Sequence, residues 1–390
     1  MVRMRLVLSI VIVLIGLVAG LGLAASAQSS FSAQSSFSAQ AGLSAQEMPL
    51  NPDGEAYEVN PDPQGILWIS DYGAGEVRRL DPQDGSYTVY PVGGRPSDAR
   101  SDGAGSLWWA DFASKQVGRL SIADGSTSIW EVPGSSNLLG TGLGTNGDIW
   151  FTDAKSPYLY HLSPASSEVC TYTLPLDGSS DYLLVDGVHI WLGDSHSSQV
   201  DRLDVAGGTF TRWGLPAGSR PTGMALDGSG NLWWADPILG TLARLAPGSN
   251  QVITYTHPVV QKPQMLALDE GKVWYSDPTN VGVLNPARAV GNASTLTPQS
   301  AAASKTCSTL AAPITTKITP TTGQASWSEV TYSQVSSPSG WQIYQLPQRA
   351  TTWGIAAQGD HIWLVDQGRR VLAKLPKQTE SRVYLPLVIK

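Results

Sequence analysis

Short runs of alternating apolar and polar residues fill the chain from about residue 50 onward, and none keeps a helical period. Within those runs a tryptophan returns at a nearly constant interval. Trp68, Trp108, Trp150, Trp191, Trp233, Trp274 and Trp363 are separated by 40, 42, 41, 42, 41 and 89 residues. Three positions after each comes an aspartate: Asp71, Asp111, Asp153, Asp194, Asp236, Asp277 and Asp366. Twelve positions after it, six units carry a leucine (Leu80, Leu120, Leu162, Leu203, Leu245, Leu375). Five units place an aromatic residue 22 positions on (Tyr90, Trp130, Tyr172, Trp213, Tyr255), with a proline close behind. The last interval is 48 residues too long, and the sixth aromatic, Tyr344, is late by the same 48. Two landmarks thus place one insertion in the sixth unit.

Each unit holds several strand-length runs separated by turn-forming segments such as Asp227-Gly228-Ser229-Gly230-Asn231. About four strands per 40 residues is the size of a propeller blade. The expectation is therefore all-β: a seven-bladed β-propeller of four-stranded antiparallel blades spanning residues 48–390. Ring closure hides the sheet edges that an open array would expose. The repeat Trp and Leu are expected to pack between neighbouring blades, and so are Trp109, Trp234 and Tyr275 on the other strand face. Both Glu47–Leu50 and Arg382–Pro386 resemble the end of an outer strand, so either terminus can complete the ring.

The segment before the repeats is different. Arg3 and Arg5 precede an uncharged apolar run, Leu6–Leu23, and a small-residue triplet, Ala25-Ser26-Ala27. This reads as a signal peptide over 1–27, and hence a secreted or extracytoplasmic protein. An uncleaved anchor is the alternative, because the run approaches the length of a spanning helix. Residues 28–47 repeat Ser-Ser-Phe-Ser-Ala-Gln and read as a low-complexity spacer. The insertion, about 285–333 in blade six, is rich in Ala, Ser, Thr and Pro and has no acidic residue up to Ser328. With little to bury, it is expected to be disordered or a loosely draped flap. Asn292-Ala293-Ser294 matches a glycan acceptor triplet. Export permits a disulfide, but Cys170 in blade three and Cys307 in the insertion meet only if a long flap bridges non-adjacent blades. That pairing stays open, with free thiols favoured.

Composition narrows the function classes. Hydrophobic residues make up 42%, charged residues 15%, and the net charge is −7. An acidic chain without a basic stripe argues against a nucleic-acid partner. No membrane partner is expected unless the leader stays on. No His pair has metal-ligand spacing on a helix, and no Gly-x-Ser-x-Gly elbow occurs. The five histidines (His161, His189, His196, His257, His361) are scattered and read as structural or surface groups. The seven repeat aspartates read as turn formers, because every unit has one.

The pattern Gly-x-x-Trp-aromatic-x-Asp, Gly-Arg-Leu, Tyr-x-x-Pro resembles the repeats of the virginiamycin B lyase family. Blade two shows it in Leu107-Trp108-Trp109-Ala110-Asp111 and Gly118-Arg119-Leu120, blade five in Leu232-Trp233-Trp234-Ala235-Asp236 and Ala243-Arg244-Leu245. The resemblance covers residues 50–386. It implies a streptogramin lyase fold and a magnesium-assisted elimination that opens cyclic depsipeptides, with two His near the channel. One of those His follows Arg-Pro at the start of an inner strand. The matching positions here are Tyr57, Ser97, Leu139, Asp181, Thr222, Gln264 and Trp353, and none is His. Arg220-Pro221-Thr222 keeps the dipeptide but ends in a residue that cannot act as a base at neutral pH.

These inner-strand starts converge near one mouth of the expected channel. Tyr57, Ser97, Asp181, Thr222, Gln264 and Trp353 are the candidate ligand-binding residues, suited to a small molecule, peptide or carbohydrate. The expected function is a secreted, monomeric propeller that binds a ligand or partner and performs no lyase chemistry. The alternative is a divergent streptogramin-type C–O lyase or related metal-assisted enzyme, with Asp181 or Asp366 as catalytic candidates and Mg2+ as cofactor.

Overall fold

The computed structural model describes residues 42–175, 179–194, 196–335 and 339–377. The expected signal peptide, the spacer up to residue 41 and the Arg382–Pro386 strand lie outside the described residues. Among those described, all regular structure of any length is β-strand, and no helix is long and apolar enough to cross a membrane.

The first strands of successive units lie side by side in a closed circuit, from Ala56–Pro61 through Pro96–Ser101 and onward to Thr352–Gln358, which returns beside Ala56–Pro61. Behind each, the chain meanders outward in antiparallel order. The expected seven separate blades of four strands are not what forms. Six hydrogen-bonded sheets are present: five blades of five strands each, and one sheet of nine. The propeller therefore has five free-standing blades, and the last two sequence units are fused.

The insertion is the physical reason for both corrections. It is neither disordered nor a flap. It leaves the sixth unit after Leu284 and runs backwards around the circumference, adding one antiparallel strand to the outer edge of each blade. Asn292–Thr295 pairs with Gln251–Thr256, Gln299–Ala302 with Thr209–Gly214, and Ser304–Thr309 with Glu168–Thr173. Ile314–Lys317 then pairs with Ser126–Glu131 and Thr321–Gln324 with Ser86–Tyr90. The strap ends in Ser328–Val335, inserted between Trp341–Gln345 of the sixth unit and the N-terminal strand Gly42–Pro49. Gly42–Pro49 also pairs with Val371–Pro376 of the seventh unit, so one ladder runs through both units. Six residues of the expected spacer, 42–47, thus belong to a strand, and the N-terminal segment completes the seventh unit.

Cys170 and Cys307 face each other in register across the third blade and form a disulfide. The free-thiol expectation is overturned because the strap carries Cys307 to that blade. At the seam, Arg369 makes a two-pronged ion pair with Glu47 (2.9 and 2.7 Å) and donates from Nε to Asp366 (2.7 Å), while Tyr332 of the strap donates to Glu47 (2.6 Å). Most of this set is buried, where charge-assisted hydrogen bonds are strongest.

Core packing follows the repeat. Trp68 and Trp109 share one buried cluster with Leu107 and Leu120, and Trp108 packs with Ile149 and Phe151 of the next unit. Trp109, Trp234 and Tyr275 are buried between sheets as expected. The glycine of Gly-Arg-Leu has a steric origin: a Cβ on Gly118 would stand 2.0 Å from the Trp109 ring. The aromatic 22 positions on stacks against the repeat Trp, as in Trp108–Trp130 at 5.5 Å and Trp191–Trp213 at 5.6 Å. Arg119, Arg202 and Arg244 cover those indoles, and His161 takes the same place on Trp150 at 4.3 Å.

Candidate functional site

All seven inner-strand starts reach one cavity of about 580 Å³ at one end of the circuit: Tyr57, Ser97, Leu139, Asp181, Thr222, Gln264 and Trp353. A local backbone feature aims them there. In six units the pairing of first and second strands shifts register near this position, for example between Ala56 and Val59 and between Ser180 and Tyr182. Such a bulge adds a residue to one strand and redirects its side chains.

The repeat aspartates hold this end in shape. Each sits at the end of a second strand and accepts main-chain N–H groups from its own turn, from the segment leading into the first strand, or from both. Asp236 takes N–H of Arg220 (3.1 Å), Ile238 (3.1 Å) and Leu239 (3.0 Å), and also the Ser219 hydroxyl. Asp277 takes Gln261 and Lys262, and Asp153 takes Ser136, Asn137 and Lys155. Asp366 belongs to this set: Thr351 N–H (2.9 Å) and Arg369 occupy its two oxygens.

The predicted residues divide by what their polar atoms do. Ser97 and Thr222 are almost fully buried, and their hydroxyls donate across to the next first strand, to Leu139 O (2.8 Å) and Gln264 O (2.7 Å). They stitch the ring and offer the cavity little chemistry. Tyr57, Gln264 and Trp353 are partly exposed to it. The Tyr57 ring stacks on Trp353 (centroids 5.1 Å apart, 27° between planes) and meets the edge of Tyr72 at 5.7 Å. Tyr57 and Tyr182 share a hydroxyl hydrogen bond of 3.0 Å. Burial, reinforced by the Glu58 charge, raises the Tyr57 phenol far above its ordinary value, so it stays neutral. Asp181 accepts a 2.7 Å hydrogen bond from Arg220.

Sequence reasoning missed three groups. Glu58, Asp98 and Tyr182 are each the residue after a predicted position and are buried. Asp98 accepts from Asn60 (2.8 Å), the Thr141 N–H (2.9 Å) and Arg100 (3.2 Å). Burial pushes the Glu58 carboxyl well above the usual carboxylate range, the Asp98 charge adds to this, and Arg100 opposes it. Tyr72, Phe112, Ala154 and Pro237, each directly after a repeat aspartate, also line the cavity. That slot varies between units while the aspartate beside it does not, which is the signal that was available. The third group is the exposed cations Arg95, Lys155, Arg220 and Lys262.

No histidine is among the residues lining the cavity. His161 and His189 pair with Asp148 (3.1 Å) and Asp186 (3.2 Å), and His196 bonds Ser179.

The sequence pattern of the virginiamycin B lyase family matches residues 43–307, more than half of the chain. The chain belongs to the virginiamycin B lyase family. No curated protein sequence matches it. Among solved structures it is similar to virginiamycin B lyase from Staphylococcus aureus, with 18% identity, a TM-score of 0.65, and coverage of 85% of this chain and 98% of that one. A catalytically inactive His-to-Ala variant of the S. aureus enzyme, solved with quinupristin, matches with the same figures. A structure described as streptogramin B lyase matches at 18% identity and a TM-score of 0.65, covering 85% of this chain and 97% of that one. At this identity the likeness establishes the propeller fold.

The residues at the mouth do not fit the magnesium ion that the family resemblance implies. Asp181 is paired with Arg220, and Asp366 has both oxygens engaged by Thr351 and Arg369. Among the described residues, the one cluster of three potential ligands is Glu168, Cys170 and Cys307, whose thiols are joined to each other. A hard divalent cation needs several free oxygens.

Proposed function

We propose that this member of the virginiamycin B lyase family is a binding module that holds a small molecule, peptide or carbohydrate at the mouth and performs no elimination there. One observation carries this reading: the seven first-strand positions line a single cavity, one side of which is aromatic, and no imidazole stands among them. A base that lifts a proton beside a carbonyl has no histidine to supply it. Concave sites with aromatic walls and a few oriented polar groups are the usual form of ligand pockets. Export as a monomer is part of the reading. The leader over 1–27 supports it, and the Cys170–Cys307 disulfide suits an oxidising compartment. The test is to incubate the protein with a streptogramin B-type cyclic depsipeptide and magnesium, and to follow ring opening by mass spectrometry. The ring is expected to stay closed. Opening that disappears in Asp181→Ala overturns the binding-only reading.

A second reading, a divergent C–O lyase, is favoured by Glu58. A buried carboxyl with a raised pKa near a cleft is the kind of group that moves protons. Ring opening that is lost in Glu58→Gln would establish it.

A further inference from the structure

We propose that the ligand of the mouth is an anion: a carboxylate-bearing molecule with a flat apolar face, seated on the aromatic wall with its carboxylate between Lys155, Arg220 and Lys262. This rests on the binding reading above and deepens it.

Charge distribution is the first observation. The chain as a whole is acidic, at −7. The residues lining the mouth nevertheless include four cations, Arg95, Lys155, Arg220 and Lys262, against one acid, Asp181. Lys155 and Lys262 form no ion pair among the described residues. Arg220 gives Asp181 one guanidinium nitrogen, which leaves further donors of its fork to point elsewhere. Arg95 lies over the Tyr72 ring at 4.5 Å and is 3.8 Å from Glu55, an exposed and weakly held pair.

Placement is the second. Three of the cations are not on free loops. Asp153 fixes the Lys155 main chain at 2.9 Å, Asp236 that of Arg220 at 3.1 Å, and Asp277 that of Lys262 at 2.8 Å. The same repeat device that builds the mouth therefore sets three cations around it. A concave wall lined by one sign of charge concentrates the opposite sign in its ligand.

The buried acids nearby do not cancel this field. Asp98 is met by Arg100, Asn60 and the Thr141 N–H, and burial pushes the Glu58 carboxyl upward, which weakens its hold on a charge. The Tyr72, Tyr57 and Trp353 rings form a contiguous wall of the cavity that the cations also line, suited to a sugar ring or an aromatic face. A long polyanion is disfavoured, because the chain as a whole is acidic.

The test measures binding of two charged probes and their neutral counterparts by calorimetry: trigalacturonate against cellotriose, and 2-naphthoate against 2-naphthamide. The sugar and naphthyl arms separate a uronic-acid ligand from an aromatic acid. In at least one pair the charged member is expected to bind at least tenfold more tightly, as loss of a charge-assisted hydrogen bond implies. That preference shrinks as NaCl rises. Lys155→Ala/Lys262→Ala is expected to lose tenfold or more for the charged member while keeping its melting temperature, since both side chains are exposed. Lys317→Ala, on the outer strap, is expected to bind as the parent does. Equal binding of charged and neutral members overturns the anion proposal and leaves the binding reading standing. Undiminished affinity in the double variant also overturns it. Binding of none of the four probes counts against both.

Discussion

The channel mouth and the outer strap are both made of short strands, yet opposite forces hold them. At the mouth, side chains do the work. Each repeat aspartate ties main-chain N–H groups around its own turn, and serine and threonine hydroxyls stitch one first strand to the next. The strap has almost no buried side chains. Asn292–Thr295, Ser304–Thr309 and Ile314–Lys317 are exposed throughout. Its order comes from main-chain ladders to blade edges that are already formed, from one disulfide, and from the seam at Glu47, Tyr332 and Arg369. A locally capped site keeps its shape unit by unit. A ladder-held strap forms only when the whole ring exists to receive it.

The largest expected break of this contrast lies at the seam. Arg369→Ala strands Glu47 and Asp366 without their cation, and removing one partner of a mostly buried pair costs roughly 3–5 kcal/mol. Chemical denaturation is expected to register this as a lower midpoint.

Under the strap, the third and fourth strands of the fourth unit hold Asp201, which is fully buried. Its carboxyl is pushed up to about 8, by desolvation first and by the Asp194 charge next, while Arg212 at 3.4 Å opposes the shift. The folded state thus keeps a proton that the unfolded chain releases near pH 4. Stability is greatest below about pH 4 on this account and falls as pH rises toward about 8, by on the order of 1 kcal/mol per unit. Asp201→Asn removes that slope. Melting curves of both proteins between pH 5 and 8 check it, and parallel curves would rule it out.

Removing the disulfide comes next. Cys170 and Cys307 are 137 residues apart, and Cys170→Ser/Cys307→Ser is expected to cost about 2–4 kcal/mol. Proteolysis of the variant should cut first within 292–324, with binding intact. On the mouth side, Asp236→Ala leaves several N–H donors without their acceptor. The expected loss is about 1–3 kcal/mol, together with weaker binding, because Arg220 loses its anchor. The smallest effect is Thr316→Ala on the strap. It removes one hydroxyl contact to Thr127 (2.8 Å) and is expected to change stability by under about 1 kcal/mol, with no effect on binding.

The mouth was legible to the extent that it repeats. Counting back from each Trp found all seven first-strand positions, because one register recurs in every unit. It could not tell that Ser97 and Thr222 spend their hydroxyls on the ring. The bulges beside the buried Glu58, Asp98 and Tyr182 carry no fixed residue signature. The strap was misread because composition rules ask what a segment can bury, and this one buries almost nothing. Its Thr and Ser residues pair through the backbone with edges supplied by residues up to roughly 290 positions away.

The sequence alone determined an all-β chain of Trp-marked units, the packing of Trp109, Trp234 and Tyr275 between sheets, and the seven first-strand positions that meet in one cavity. These follow from local periodicity, which one unit states and the others repeat. Tertiary structure alone decided the fusion of two units into a nine-stranded sheet, the encircling path of the insertion and the joining of Cys170 to Cys307. Each is a pairing between distant segments, and backbone hydrogen bonds, being the same for every residue, leave no mark in sequence of which edge they will join.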